Sequence, residues 1–205
     1  MRNPSQQAPI EMNSSTRAQL LCIALGTVLV LWQGPATLAQ ASPSAPQVGE
    51  DYQETVNRAW GLAVAGEVPT NACAGVKGRV IGKKDRSAAA LRALLACNVE
   101  IPVRYFKTYL DKVEAGEKTC IDYMTEIVTQ LTAMTMSTDA LWEMVDTIEK
   151  SGDAEAQAAA TEALTAVAMD ATADKDANDP KRIIKNRLTD RTNEICPEVA
   201  TVVLR

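Results

Sequence analysis

Cysteine is the most versatile reactive side chain in this sequence, because the 205 residues include no histidine. Without histidine the chain lacks the usual general base at neutral pH and the commonest metal ligand. It also has no C-x-x-C pair, the spacing used by structural zinc sites and haem attachment motifs. No serine begins S-x-x-K or lies within G-x-S-x-G. We therefore predict a protein that is not an enzyme and has no metal or cofactor site.

A glycine-rich basic segment, GVKGRVIGKKDR at 75–86, is the second group of residues that could bind a ligand. A phosphate-binding loop needs four residues between its glycines and a hydroxyl after its lysine. Here three residues separate Gly78 from Gly82, and Lys84 occupies the hydroxyl position. We interpret the segment as a surface loop that could contact an anionic partner. It contains five cations within ten residues: Lys77, Arg79, Lys83, Lys84 and Arg86.

Overall composition limits the class of partner. The formal net charge is -5, with 46% apolar and 23% charged residues. Such a balance is typical of a globular protein and not of a disordered one. An acidic chain is poorly suited to phosphate backbones, so nucleic acid is excluded as a partner. Another protein or an anionic component of the cell envelope is the expected partner.

The first 41 residues have the layout of a secretory signal peptide. An apolar run of 15 residues, Ala18 to Trp32, follows a basic residue and precedes a stretch of small residues. Ala39 and Ala41 fit an A-x-A cleavage site, so we expect cleavage near Ala41 and a periplasmic or secreted protein. Met12 is an alternative start. The run is shorter than the ~20 residues that cross a bilayer, which predicts no transmembrane segment after cleavage.

Cleavage would remove Cys22 and leave an even number of cysteines. In an oxidising compartment, four cysteines predict two disulfides, formed by Cys73, Cys97, Cys120 and Cys196.

Apolar residues recur at three- and four-residue intervals through most of the chain after position 50. We predict a flexible linker at 42–49 and an all-α domain at 50–205. That domain is expected to contain about six antiparallel helices in one disulfide-bridged, bundle-like unit. Helices are expected to open at Thr138, Asp153 and Pro180, each at or beside a capping residue or an N-terminal proline.

Four residues are expected to set other helix boundaries. Pro69 should keep the residues after it out of a helix. Asp85 should cap the helix that ends at Cys97, where Asn98 supports the stop. Pro102 should then open a separate helix.

The direction of the helices favours one of the three disulfide pairings. If successive helices alternate in direction, Cys97 and Cys120 lie at opposite ends of the bundle, whereas Cys120 and Cys196 lie at the same end. A disulfide needs Cα atoms within ~7 Å. We therefore favour Cys73–Cys97 with Cys120–Cys196, and the other pairings stay open if two consecutive helices pack in parallel.

The segment Thr119–Met124 reads TCIDYM, with a cysteine, an acidic residue, an aromatic residue and an aliphatic one. It resembles the opening of small periplasmic acid-stress chaperones of bacteria, which are helical, exported and closed by one disulfide. Cys196-Pro197 is similar to their closing cysteine and nearby proline. The resemblance implies a Cys120–Cys196 bridge and binding of unfolded clients at low pH, and it is confined to these two short segments.

These observations together predict an exported, non-enzymatic helical binding protein of the bacterial cell envelope or periplasm. A periplasmic chaperone of the acid-stress type is one alternative. An inhibitor or immunity protein that neutralises a secreted enzyme is another.

Overall fold

The computed structural model describes residues 44–46, 48–169 and 176–204. The predicted signal peptide and Cys22 lie outside these ranges. Within them the chain is helical and contains no strand, which confirms the all-α prediction. The helices are α1 (Glu50–Ala65), α2 (Thr70–Gly82), α3 (Ala88–Leu95), α4 (Ile101–Glu114), α5 (Cys120–Met134), α6 (Thr138–Glu149), α7 (Ala154–Ala166), α8 (Pro180–Ile195) and α9 (Pro197–Val203).

Side-chain caps define the start of most of the later helices. The Thr119 hydroxyl accepts a hydrogen bond from the Asp122 amide, and the Asp122 carboxylate accepts one from the Thr119 amide. This reciprocal capping box satisfies two amides that have no partner within the helix. Ser137, Asp153 and Asp179 cap α6, α7 and α8. The predicted helix starts at Thr138 and Pro180 are therefore confirmed. Helix α7 begins at Ala154, one residue after its predicted start at Asp153.

Helix α4 lies at the centre of the fold, in contact with α1, α5 and α8. Its side chains Tyr105, Phe106 and Leu110 are fully or almost fully buried. Phe106 forms an edge-to-face pair with Tyr123 of α5, with ring centroids 6.5 Å apart. The hydroxyls of Tyr123 and Thr192 of α8 form a buried hydrogen bond of 3.1 Å. Apolar packing and one polar contact thus fix the position of α5 against α4 and α8.

The expected break at Asn98 is wrong. Helices α3 and α4 are joined without interruption by a π-helical turn, Ala96–Glu100, in which the Ile101 amide donates to the carbonyl five residues back. Pro102 has no amide hydrogen to donate within the helix. The wider π-helical turn accommodates this missing donor, so the helix continues through Pro102. The Asn98 side chain is buried and donates to the Leu94 carbonyl at 2.7 Å, so it supports the helix it was expected to end.

Asn98 also links this turn to the chain after α5, because its Oδ1 accepts the Met136 amide at 2.7 Å. Replacing Asn98 by alanine leaves the buried Leu94 carbonyl and the partly buried Met136 amide without this side-chain partner. The expected loss in the free energy of unfolding is about 1 to 3 kcal/mol. Urea unfolding measures it, with the exposed Asn186→Ala as a control that should change stability by less than about 0.5 kcal/mol. Equal stability of the two variants would contradict this role.

The expectation that Pro69 excludes a helix is also wrong. Pro69 occupies the N-cap of α2, a position that needs no amide donor. The buried side of α2 is formed by four apolar residues at helical spacing: Ala72, Cys73, Val76 and Val80. Burial of these side chains stabilises α2 by more than the low helix propensity of its glycines destabilises it. Ser87, and not Asp85, caps the next helix.

The structure pairs Cys73 with Cys97 and Cys120 with Cys196, as predicted, with Cα–Cα distances of 5.6 Å in both bridges. One premise of the prediction fails, because α3 and α4 run in the same direction. The conclusion survives because α4 itself, 14 residues or about 21 Å long, separates Cys97 from Cys120.

Candidate binding site

The predicted basic contact loop is largely helical. Lys77 and Arg79 belong to α2, Lys83 and Lys84 form the turn after it, and Arg86 precedes α3. The expectation of a glycine-rich loop is therefore wrong for residues 75–82, which belong to α2.

Three of these five cations contact the protein itself. Lys77 donates to the Met134 carbonyl at the end of α5, and burial lowers the pKa of Lys77 to about 8. Arg79 donates to the Asp51 carbonyl and lies over the Tyr52 ring, 5.0 Å from its centroid. Arg86 donates to the Val80 carbonyl at 3.3 Å. Lys83 and Lys84 are exposed, so the surface available to a partner is smaller than the sequence indicates.

Asp85 connects the same segment to α1. Its carboxylate accepts hydrogen bonds from the Tyr52 hydroxyl and from the Ser87 amide. Burial raises the pKa of Asp85, but the hydrogen bonds from Tyr52 and Ser87 lower it by more, and its pKa lies below the ordinary value.

A carboxyl whose pKa is depressed by folding stabilises the protein above its unfolded pKa, about 3.9, and loses that effect as pH falls through the folded value. We expect Asp85→Asn to be less stable than the native protein above about pH 5, and the difference to shrink as pH falls through the folded pKa of Asp85. Urea unfolding across this range measures the difference. The control is Asp190→Asn, at an exposed residue without a side-chain hydrogen bond in the described structure. A stability difference between Asp85→Asn and the native protein that stays the same as the pH is lowered would contradict this role of Asp85.

A groove of about 590 Å³ lies between α5, α8 and α9. We call it the α5–α9 groove. Its apolar lining comes from α5 and α9: Met124, Ile127, Val128, Leu131, Val202 and Val203. Val128 and Val202 are 64% and 73% exposed, which is unusual for valine side chains in a folded domain.

Threonine side chains beside the groove add to its apolar character. The Thr125 hydroxyl donates to the Ile121 carbonyl at 2.9 Å, and the Thr129 hydroxyl donates to the Thr125 carbonyl at 2.7 Å. Because these hydroxyls are bonded to their own helix, they place no unsatisfied donor in the groove. Ile121, 71% exposed, lies one turn before Thr125 on α5. The exposed face of α5 is therefore apolar over several turns.

Two cations line the polar part of the groove. Lys181 and Lys185 are four residues apart on α8 and lie on one face of that helix. Neither forms an ion pair or a side-chain hydrogen bond within the described part of the chain. The groove thus combines an apolar floor with two unpaired positive charges.

The Cys120–Cys196 bridge holds the walls of the groove together. It joins the first residue of α5 to the junction between α8 and α9. Helix α8 begins beside the second half of α5 and ends beside its start, so these two helices are antiparallel. Helix α9 leads from the bridge toward the groove, where Val202 and Val203 form one wall.

Sequence reasoning missed this groove. Ile121 and Val128 follow the three- and four-residue apolar spacing that is typical of a helix core, but the structure buries Tyr123, Ile127 and Leu131 and exposes both aliphatic residues. The apolar segment VATVVL at 199–204 is the one other sequence signal near the groove, and its first five residues belong to α9.

The fold and the groove define an all-α domain with two disulfides and an open apolar site. No protein-family model matches the chain, and comparisons with curated proteins and with solved structures gave no significant match. Among the described residues, no helix has both the length and the hydropathy to cross a membrane. In the same part of the chain, no cluster of three or more acidic or cysteine residues could hold a metal ion.

Proposed function

We propose that the protein is an exported, non-enzymatic helical binding protein of the bacterial cell envelope, and that it binds an anionic, single-chain lipid in the α5–α9 groove. The observation that carries the proposal is the groove itself, in which the exposed Val128 and Val202 lie near two lysines that form no ion pair within the described part of the chain. The two disulfides support a location in an oxidising compartment outside the cytoplasm.

The size of the groove favours a small ligand. Its volume falls within the range of about 300 to 1,000 Å³ that is usual for small-molecule sites. A stable protein partner normally covers about 800 Å² on each side, a far larger surface than one short groove. An acyl chain lying on Val128, Val202 and Val203 would remove apolar surface from water, which is the main favourable term in such binding.

The charge of the groove favours an anionic head group. The protein as a whole is acidic, with a net charge of -5, yet the side chains that line this groove and carry charge are both lysines. A carboxylate placed between Lys181 and Lys185 would form charge-assisted hydrogen bonds, which are stronger than neutral ones.

Calorimetric titration of the oxidised, natively exported protein with dodecanoate tests the proposal. We expect one saturable site. Val128→Asp should weaken binding by at least about tenfold, because it places a charge on the path of the acyl chain. The matched control is Ile81→Asp, at a 54% exposed aliphatic residue on α2, and it should bind as the native protein does.

A second comparison isolates the head group. Lys181→Gln combined with Lys185→Gln should weaken binding of dodecanoate but leave binding of the neutral dodecanol unchanged. Binding that does not saturate, or that Val128→Asp and Ile81→Asp reduce equally, would overturn the proposal.

A periplasmic chaperone of the acid-stress type is a second candidate, favoured by the Cys120–Cys196 bridge that the family resemblance implies. It predicts that the protein suppresses aggregation of an unfolded client near about pH 3, while its own near-ultraviolet circular dichroism is lost. Retained tertiary packing at that pH, together with unprotected client, would rule this candidate out.

A further inference from the structure

A second cavity, of about 330 Å³, lies on another side of α8. It is lined by α1, by the first half of α4, by the middle of α8 and by residues that precede α1. The Gln53 side chain holds those preceding residues, because it accepts the Val48 amide at 3.0 Å and donates to the Pro46 carbonyl at 3.3 Å. We call this cavity the α4–α8 cleft.

Positive charge dominates the α4–α8 cleft. Arg104 and Lys107 contribute from α4 and Arg187 from α8, whereas Glu100 contributes the one carboxylate among the described residues of the lining. With all four ionised, three positive charges face one negative charge. The cleft therefore has a local excess of about two positive charges in a protein that is acidic overall.

The cations of the cleft have unused hydrogen-bonding capacity. The Nε of Arg104 is buried and has no hydrogen-bond partner among the described residues. None of the three cations forms an ion pair with the described residues, and Arg187 donates only to the Ala166 carbonyl, at a long 3.4 Å. No described residue accepts a hydrogen bond from the Arg104 guanidinium, so an anionic acceptor in the cleft would provide one.

The guanidinium group of an arginine presents a planar fork of donors that matches the oxygens of a phosphate or carboxylate. Inorganic phosphate or a phosphate monoester at neutral pH has a charge of about -1.5 to -2 and a phosphodiester head group about -1, so either opposes the local charge of the cleft. The half-buried Trp60 provides an aromatic wall beside the cations.

We propose that the α4–α8 cleft is a binding site for a phosphate group, which Arg104, Lys107 and Arg187 hold against Trp60. This site is separate from the α5–α9 groove. Lys185 and Arg187 are two residues apart on α8, so their side chains leave the helix about 200° apart. The proposal does not depend on the lipid proposed for the groove.

Calorimetric titration of the oxidised, natively exported protein with inorganic phosphate tests the site, and Trp60 fluorescence provides a second signal that Trp60→Phe should abolish. We expect saturable binding that Lys107→Gln and Arg187→Gln each weaken by about tenfold. The control is Lys118→Gln, at an exposed lysine outside the cleft, and it should leave binding unchanged.

Vesicles containing phosphatidylglycerol distinguish the source of the phosphate. Binding of free phosphate would support recognition of a soluble ligand. Vesicle binding that Lys107→Gln and Arg187→Gln reduce, without binding of free phosphate, would support recognition of a lipid head group. If neither probe binds, or if Lys118→Gln reduces binding as much as Lys107→Gln does, the proposal is wrong.

Discussion

Replacing both Cys120 and Cys196 by alanine is expected to lower the free energy of unfolding by about 4.5 kcal/mol, the loop-entropy value for a closed loop of 76 residues. The bridge restricts the unfolded chain, and it also joins α5 to the α8–α9 junction in the folded state. Urea unfolding of the oxidised variant against the native protein measures the loss.

The second bridge provides the matched comparison. Replacing Cys73 and Cys97 by alanine opens a loop of 24 residues, for which the same relation gives about 3.4 kcal/mol. We further expect the Cys120–Cys196 variant to lose affinity for dodecanoate, since α9 is then released from the groove, and the Cys73–Cys97 variant to retain it. The reverse order of stability would contradict the entropic account of the bridges.

Phe106→Ala is the second change with a large expected effect, about 3 to 5 kcal/mol of lost stability. Phe106 has no exposed surface and packs edge-to-face against Tyr105 and Tyr123, at centroid distances of 5.2 and 6.5 Å. Truncation removes these contacts and leaves a cavity where α4 meets α5.

Thermal and urea unfolding of Phe106→Ala test this prediction, with Val68→Ala as the control. Val68 is 42% exposed, so its truncation should cost less than about 0.5 kcal/mol. A loss below about 1 kcal/mol for Phe106→Ala would show that this part of the interior collapses around the gap or is loosely packed.

Local rules predict much of the fold. Ser137, Asp153 and Asp179 precede regular apolar repeats, and each of them caps a helix. The same rules fail at Asn98 and Pro102, because a π-helical turn and a tertiary hydrogen bond to the Met136 amide stabilise a continuous helix there. Neither effect can be predicted from the spacing of residues that are close in sequence.

The candidate sites are harder to predict, because they depend on which helices become neighbours. Ile121 and Val128 have the spacing of core residues, yet the side chains that the fold buries on α5 are Tyr123 and Ile127. Arg104 and Arg187 are 83 positions apart and meet only through the packing of α4 on α8. The cations at 77–86 are close in sequence, so the sequence alone identifies them as a cluster. Three of them form hydrogen bonds within the protein.

Mapping backbone amide shifts by nuclear magnetic resonance during a titration with dodecanoate tests the central claim most directly. We predict saturable changes concentrated in three segments that line the α5–α9 groove, at residues 124–132, 181–185 and 202–203. Changes centred on the basic residues 77–86, or spread over the surface without saturation, would contradict the assignment of the groove as the ligand site.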